Sequence, residues 1–66
     1  MKFKYKEGQR VKAIACKLGQ TILAGKVVGP CEINYKPYYW VDFELQENSK
    51  LMLVNERDIV EALDEG

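Results

Sequence analysis

The chain has 66 residues and a mass of 7.6 kDa, which is enough for one small hydrophobic core and leaves no room for a second. Hydrophobic residues make up 47% and charged residues 30%, a composition typical of a folded domain. Histidine is absent, so the side chain best suited to proton transfer near neutral pH and to metal binding is missing. We therefore expect one domain over residues 1–66 that is not an enzyme and uses no cofactor and no metal.

The hydropathy of the chain predicts a soluble, cytoplasmic protein without a membrane partner. No apolar run approaches the roughly 18 residues that cross a bilayer, and residues 1–10 lack the apolar segment of a signal peptide. Cys16 and Cys31, with no histidine or further cysteine, cannot complete a structural zinc site. We expect both to be free, buried, small side chains, with a disulfide or a regulatory thiol as the alternatives.

Ten basic and ten acidic residues cancel, but they are unevenly distributed. Residues 1–17 contain six basic residues and one acid, whereas residues 42–66 contain eight acids and two basic residues. One interpretation is that the two terminal segments fold close together and their charges compensate. The other is a basic N-terminal arm for a polyanion or an acidic partner, formed by Lys2, Lys4, Lys6, Arg10 and Lys12.

The N-terminal residues alternate between aromatic and basic side chains. Phe3 and Tyr5 would lie on one face of an extended segment and three lysines on the other. Residues 1–6 are therefore either a first strand or an arm that docks by its aromatic side chains. A turn over residues 7–9 follows.

Alternating apolar residues and intervening turn residues predict five strands. Gly25, within the second strand, indicates a bulge or a close approach of the backbone. The predicted strands cover residues 10–16, 21–28, 38–45, 50–54 and 59–63, with a 3₁₀ turn at 55–58 and a frayed tail at 64–66. The predicted core consists of Val11, Ala13, Ile22, Ala24, Val27, Val41, Phe43, Leu51, Leu53 and Ile59.

Residues 29–37 are predicted to form a connecting loop, because Gly29 and Pro30 are expected to end the second strand. The loop is long for so small a domain and directly precedes the aromatic strand. Loops on a rigid scaffold often carry contacts, so this loop is a candidate functional edge with Tyr35 as its anchor. The alternative is a tolerated insertion with no role in binding.

Four segments resemble the SH3-like barrel superfamily, in particular its small bacterial or phage-type domains. They are EGQRV at 7–11, GKVVG at 25–29, YWVDF at 39–43 and NERDI at 55–59. The resemblance covers residues 6–63 and implies an all-β fold: a small five-stranded antiparallel SH3-like barrel with one 3₁₀ turn before the last strand. It implies little about function, because this architecture carries binding modules as well as enzymes.

Three groups within that superfamily can be compared with the chain. Signalling SH3 domains use an aromatic run and a tryptophan pair that the chain lacks at the matching places, and KOW and Tudor-type barrels are usually more basic. Type II dihydrofolate reductase has a similar order of signals, but its pore strand reads Val-Gln-Ile-Tyr. The matching residues are Leu51, Met52, Leu53 and Val54, so its catalysis is not expected.

Two groups of aromatic and apolar side chains are larger than the core of so small a domain needs. Tyr35, Tyr38, Tyr39 and Trp40 lie within six residues and predict either completion of the core or a stacking platform at its edge. Strand alternation also places Ile14, Trp40, Met52 and Val54 on the outward face. Such an apolar surface favours self-association, unless a one-residue slip in register reverses the faces.

The leading hypothesis is a non-catalytic protein-interaction module, with a protein or a second copy of the chain as partner. Its predicted contact residues are Tyr35, Tyr38, Trp40, Ile14, Met52 and Val54. The alternative is binding of nucleic acid through the basic arm, with Tyr35, Tyr38 or Trp40 stacking on bases. The acidic pairs Asp42/Glu44 and Glu56/Asp58 are expected to solvate the surface rather than to catalyse a reaction.

Overall fold

The computed structural model describes residues 2–15, 19–45 and 48–63. Within them, five strands form one antiparallel sheet in the order β4-β3-β2-β1-β5. The elements are β1 (Arg10–Ala15), β2 (Thr21–Ile33), β3 (Lys36–Glu44), β4 (Ser49–Asn55), a 3₁₀ turn (Glu56–Asp58) and β5 (Ile59–Leu63). The predicted all-β class, the five antiparallel strands and the 3₁₀ turn before the last strand are confirmed, and closure into a barrel stays a prediction.

Strand boundaries agree closely with the sequence pattern in the second half of the chain. β5 has the predicted bounds, β4 begins one residue earlier than predicted, and β3 begins two residues earlier. Residue 16, the predicted end of the first strand, and the predicted frayed tail at 64–66 lie outside the described residues. No helix in the described ranges is long and apolar enough to cross a membrane.

The prediction of a connecting loop over residues 29–37 is wrong. β2 continues to Ile33, and only Asn34 and Tyr35 separate it from β3, with φ of 50° and 63°. Two central residues with positive φ are characteristic of a type I′ turn, whose twist matches that of a hairpin. In the described residues Pro30 pairs with Tyr39 of β3 but has no partner on its other side, since the pairing of β2 with β1 ends at Lys26. Proline is tolerated in a strand that has one free side, because its missing N–H can face that side.

The core lies on the inward face of the sheet, and β1 contacts β4 although two strands separate them in the sheet order. The sheet therefore curls around its apolar side. Each large side chain removed from water there stabilises the fold by about 1.5–3 kcal/mol. The buried residues are Tyr5, Val11, Ala13, Ala15, Val27, Tyr39, Val41, Phe43, Met52, Val54 and Ile59.

Six of the ten predicted core residues are buried: Val11, Ala13, Val27, Val41, Phe43 and Ile59. The prediction is wrong for the other four, because Ile22, Leu51 and Leu53 are exposed and Ala24 is half-buried.

The strand partners explain these errors. The irregularity in β2 lies between Val27 and Gly29 rather than at Gly25, so Ile22 and Ala24 share the outward face. In β4 every residue from 51 to 54 is apolar, so alternation could not choose a face. The pairing of β4 with β3 determines which residues face the core: Met52 lies opposite the buried Val41, and Val54 lies opposite the buried Tyr39.

Of the two alternatives at Gly25, the bulge is not found there, and the close approach is: the Asp42 carbonyl oxygen would lie 3.1 Å from a Cβ atom at this position. A Cβ atom there would lie 2.7 Å from Val41 Cγ1 and 3.2 Å from Phe43 Cδ1. Only a residue without a side chain leaves room for these two neighbours at their present positions.

The N-terminal segment, residues 2–9, contains no strand and docks by its aromatic side chains, the second of the two alternatives. Tyr5 is buried and Phe3 packs partly buried against the core. Two backbone hydrogen bonds fix the end of the segment: the Gly8 N–H donates to the Val27 carbonyl at 2.7 Å, and the Val27 N–H donates to the Gln9 carbonyl at 2.8 Å. The segment therefore covers one end of the core.

Candidate functional site

An exposed apolar surface lies where β3 and β4 pair. Trp40 faces outward opposite Leu53 on β4 and Gly29 on β2, and it is 40% exposed. Leu53 is 37% and Leu51 is 53% exposed, and Val28 is exposed in the bulge beside Gly29. We call Val28, Trp40, Leu51 and Leu53 the outer patch. Gly29, the β2 partner of Trp40, has no side chain that could cover the indole.

The outer patch replaces the apolar surface that the sequence predicted. Met52 and Val54 were expected on this face, but they are 6% and 3% exposed and belong to the core. Ile14 does lie on the outward face, half-buried, but its partner is Ile22 at the far end of β2, where β3 does not pair. The expected surface therefore exists with different members, of which only Trp40 was predicted.

The aromatic cluster divides between the two faces of the sheet and the hairpin tip. Tyr38 and Trp40 lie on the outward face, with Tyr38 half-buried, whereas Tyr39 is fully buried in the core. Tyr35 occupies the second central position of the type I′ turn and is 87% exposed. It is therefore available for contacts at the hairpin tip, although not on a long loop.

Tyr39 forms an aromatic group with the N-terminal segment. Its ring packs edge to face against Tyr5, with ring centroids 5.5 Å apart, and against Phe3 at 5.8 Å. Its hydroxyl donates a hydrogen bond to Glu56 Oε2 at 2.5 Å and accepts one from the Tyr5 N–H at 3.1 Å. Burial, with the hydrogen bond to Glu56, raises the pKa of Tyr39 above 10.0. Sequence alternation pointed to docking of Phe3 and Tyr5, but it could not identify Tyr39 as their partner.

The basic residues near the N-terminus are divided between the N-terminal segment and β1. Arg10 forms an ion pair with Glu44 at 3.0 Å, and Lys12 is exposed on β1 opposite Glu61 of β5. The side chains of Lys2, Lys4 and Lys6 are exposed on the N-terminal segment, and the Lys4 N–H donates to Glu56 Oε2 at 3.1 Å. Among the described residues one ion pair, Arg10–Glu44, joins the basic first part of the chain to the acidic last part, and the compensation interpretation otherwise stays a prediction.

Cys31 is a free thiol on β2, opposite Tyr38. It is half-buried rather than buried, which corrects that part of the prediction. Cys16 lies outside the described residues.

No protein-family model matches the chain, and no curated protein or solved structure matches it. The resemblance to SH3-like barrels therefore stays a prediction.

Proposed function

We propose that this domain is a non-catalytic protein-interaction module that pairs with a second copy of itself through the outer patch. The observation that carries the proposal is the exposure of Trp40, Leu51 and Leu53 at adjacent positions of the β3-β4 ladder. Contiguous exposed apolar side chains of this size are uncommon on a monomer and typically mark an interaction surface. Tryptophan is also enriched among the residues that dominate binding energy at interfaces.

The position of β4 supports a second copy as the partner. β4 is the end strand of the sheet, and β3 is its only strand partner in the described residues. An unpaired edge presents backbone N–H and C=O groups to another strand. Antiparallel pairing of two β4 strands about Met52 would place Leu51 opposite Leu53 of the second copy, which joins the two outer patches on one face.

Charge is compatible with this pairing. The chain has a formal net charge of zero, so two copies have no net repulsion at long range. Lys50, the charged residue of β4, would lie opposite Val54 of the second copy rather than opposite another lysine. The patch is small beside a standard interface of about 800 Å² per partner, so the expected association is weak, in the micromolar range.

Sedimentation equilibrium over a concentration series tests the proposal. Leu51→Lys and Ile22→Lys form a matched pair, because both side chains are 53% exposed on the outward face but only Leu51 belongs to the outer patch. We expect the wild type and Ile22→Lys to associate with rising concentration and Leu51→Lys to stay monomeric. Far-UV circular dichroism checks that each variant is folded.

Two results would overturn the proposal. One is a wild type that stays monomeric at millimolar concentration. The other is a monomeric Ile22→Lys variant, which would show that any new outward charge prevents association. The nucleic-acid alternative is tested in parallel with a fluorescent single-stranded oligonucleotide at two salt concentrations, since such binding weakens steeply with salt.

A further inference from the structure

A surface pocket of ≈ 450 Å³ opens on another part of the molecule, between the N-terminal segment, the start of β3 and the 3₁₀ turn. Three cationic side chains surround it, one from each of these elements: Lys4, Lys36 and Arg57. Tyr5, Pro37 and Ile59 contribute apolar wall. We propose that this pocket binds an acidic peptide segment of a partner protein, with glutamate or aspartate side chains held by the three cations.

Among the described residues no acidic side chain pairs with the three cations, although Lys4 Nζ lies over the Tyr5 ring, 5.6 Å from its centroid. All three cationic residues are exposed. The acid that lines the pocket, Glu56, is engaged through Oε2 by the Tyr39 hydroxyl and the Lys4 backbone N–H rather than by a cationic side chain. The side chains around the pocket therefore carry a positive excess that an anionic ligand would neutralise.

Local structure fixes the backbone at each of these positions. The Arg57 N–H donates to Asn55 Oδ1 at 3.1 Å, which caps the 3₁₀ turn. The hydrogen bond from its backbone N–H to Glu56 fixes Lys4, and Lys36 pairs with Ile33 directly after the type I′ turn. Backbones ordered before binding reduce the entropy lost when a ligand is held.

The shape and composition of the pocket favour a peptide over a nucleic acid. A bound base would need an aromatic face to stack on. The aromatic side chain of the pocket, Tyr5, is 8% exposed and its ring packs against Tyr39. A peptide instead can place an apolar side chain against Pro37 and Ile59, direct its carboxylates at the rim, and donate a backbone N–H to Glu56.

Fluorescence anisotropy with the labelled peptide Glu-Glu-Leu-Glu-Glu tests the proposal, with Gln-Gln-Leu-Gln-Gln as the neutral control. Lys36→Gln and Arg57→Gln are compared with Lys26→Gln, which removes an exposed charge from the outward face of β2. We expect each of the first two variants to weaken binding about two- to fivefold, as an exposed ion pair would. Lys26→Gln should bind like the wild type.

Three outcomes would overturn this inference: no binding at low salt, equal binding of the neutral peptide, or equal weakening by Lys26→Gln. A single-stranded oligonucleotide that binds the same pocket more tightly than the acidic peptide would also contradict it. The Leu51→Lys variant should retain peptide binding, because Leu51 belongs to the outer patch and not to the pocket lining. Failure of self-association and failure of this site are therefore separate results.

Discussion

Replacing Tyr39 with phenylalanine removes a single hydroxyl from the centre of the contact between the N-terminal segment, β3 and the 3₁₀ turn. The ring contacts with Phe3 and Tyr5 can persist, since the aromatic ring is unchanged. The hydrogen bond to Glu56 and the hydrogen bond from the Tyr5 N–H are both lost. Tyr39→Phe therefore measures the polar part of this contact.

The size of the effect follows from the two bonds. A hydrogen bond to a charged group contributes about 1.5–3 kcal/mol, and a neutral one about 0.5–1.5 kcal/mol. We expect the free energy of unfolding to fall by about 2–4 kcal/mol, since the buried Tyr5 N–H is left without its acceptor. At roughly 0.05–0.15 kcal/mol per residue, a domain of this length has a total stability of about 3–10 kcal/mol. The variant should therefore lose a large fraction of it.

Urea unfolding monitored by tryptophan fluorescence measures this loss as a lower midpoint with an unchanged slope. Tyr38→Phe is the matched control on the same strand, because the Tyr38 hydroxyl forms no hydrogen bond with another described residue; it should change stability by less than about 0.5 kcal/mol. Equal stability of Tyr39→Phe and the wild type would refute the reasoning.

The difference in stability between the wild type and Tyr39→Phe should also depend on pH. The raised pKa of Tyr39 means that the folded state favours the protonated hydroxyl. Its contribution to stability is therefore fully present below pH 10.0 and is lost as the pH rises through the higher pKa of the folded state. The stability difference between wild type and Tyr39→Phe should shrink over that alkaline range, which urea midpoints at successive pH values would detect.

Two further predictions concern backbone geometry. Gly25→Ala should destabilise the domain by about 1–3 kcal/mol, because its methyl group would overlap Val41. Gly29→Ala is the control, since no atom lies within 4 Å of a Cβ there, and it should be neutral or slightly stabilising. Equal urea midpoints of the two variants would contradict this prediction. Tyr35→Gly should raise the thermal midpoint, because it relieves a left-handed conformation that costs a side-chain-bearing residue about 1–2 kcal/mol; a lower midpoint would show that the tyrosine makes contacts that stabilise the fold.

The fold was predictable from the sequence wherever alternation and turn chemistry agreed. The 3₁₀ turn lies within the polar segment 55–58, and β5 begins directly after it. β3 has a strong alternation of aromatic side chains. The β2-β3 hairpin was missed because Pro30 normally ends a strand and because Tyr35 occupies a turn position where glycine is the usual signal. Only the strand order shows that Pro30 lies where β2 lacks a second neighbour.

The outer patch was predictable only in part. An exposed tryptophan followed from the alternation of β3, but the leucines of β4 could not be assigned to a face. A strand that is apolar on both sides has no periodic signal, and its orientation depends on which residues lie opposite it. The pocket was not predicted, because Lys4, Lys36 and Arg57 are far apart in the chain and meet only through the fold.

The docking of the N-terminal segment limits what its lysines can do. Residues 2–9 cannot extend as a free tail while Tyr5 remains buried against Tyr39. A partner that required a released tail would first have to expose Tyr5, at a cost of about 1.5–3 kcal/mol for that side chain alone. Its apparent affinity would then be roughly tenfold to a hundredfold weaker than its intrinsic affinity for the released segment. A ligand that contacts these lysines in their docked positions avoids that penalty.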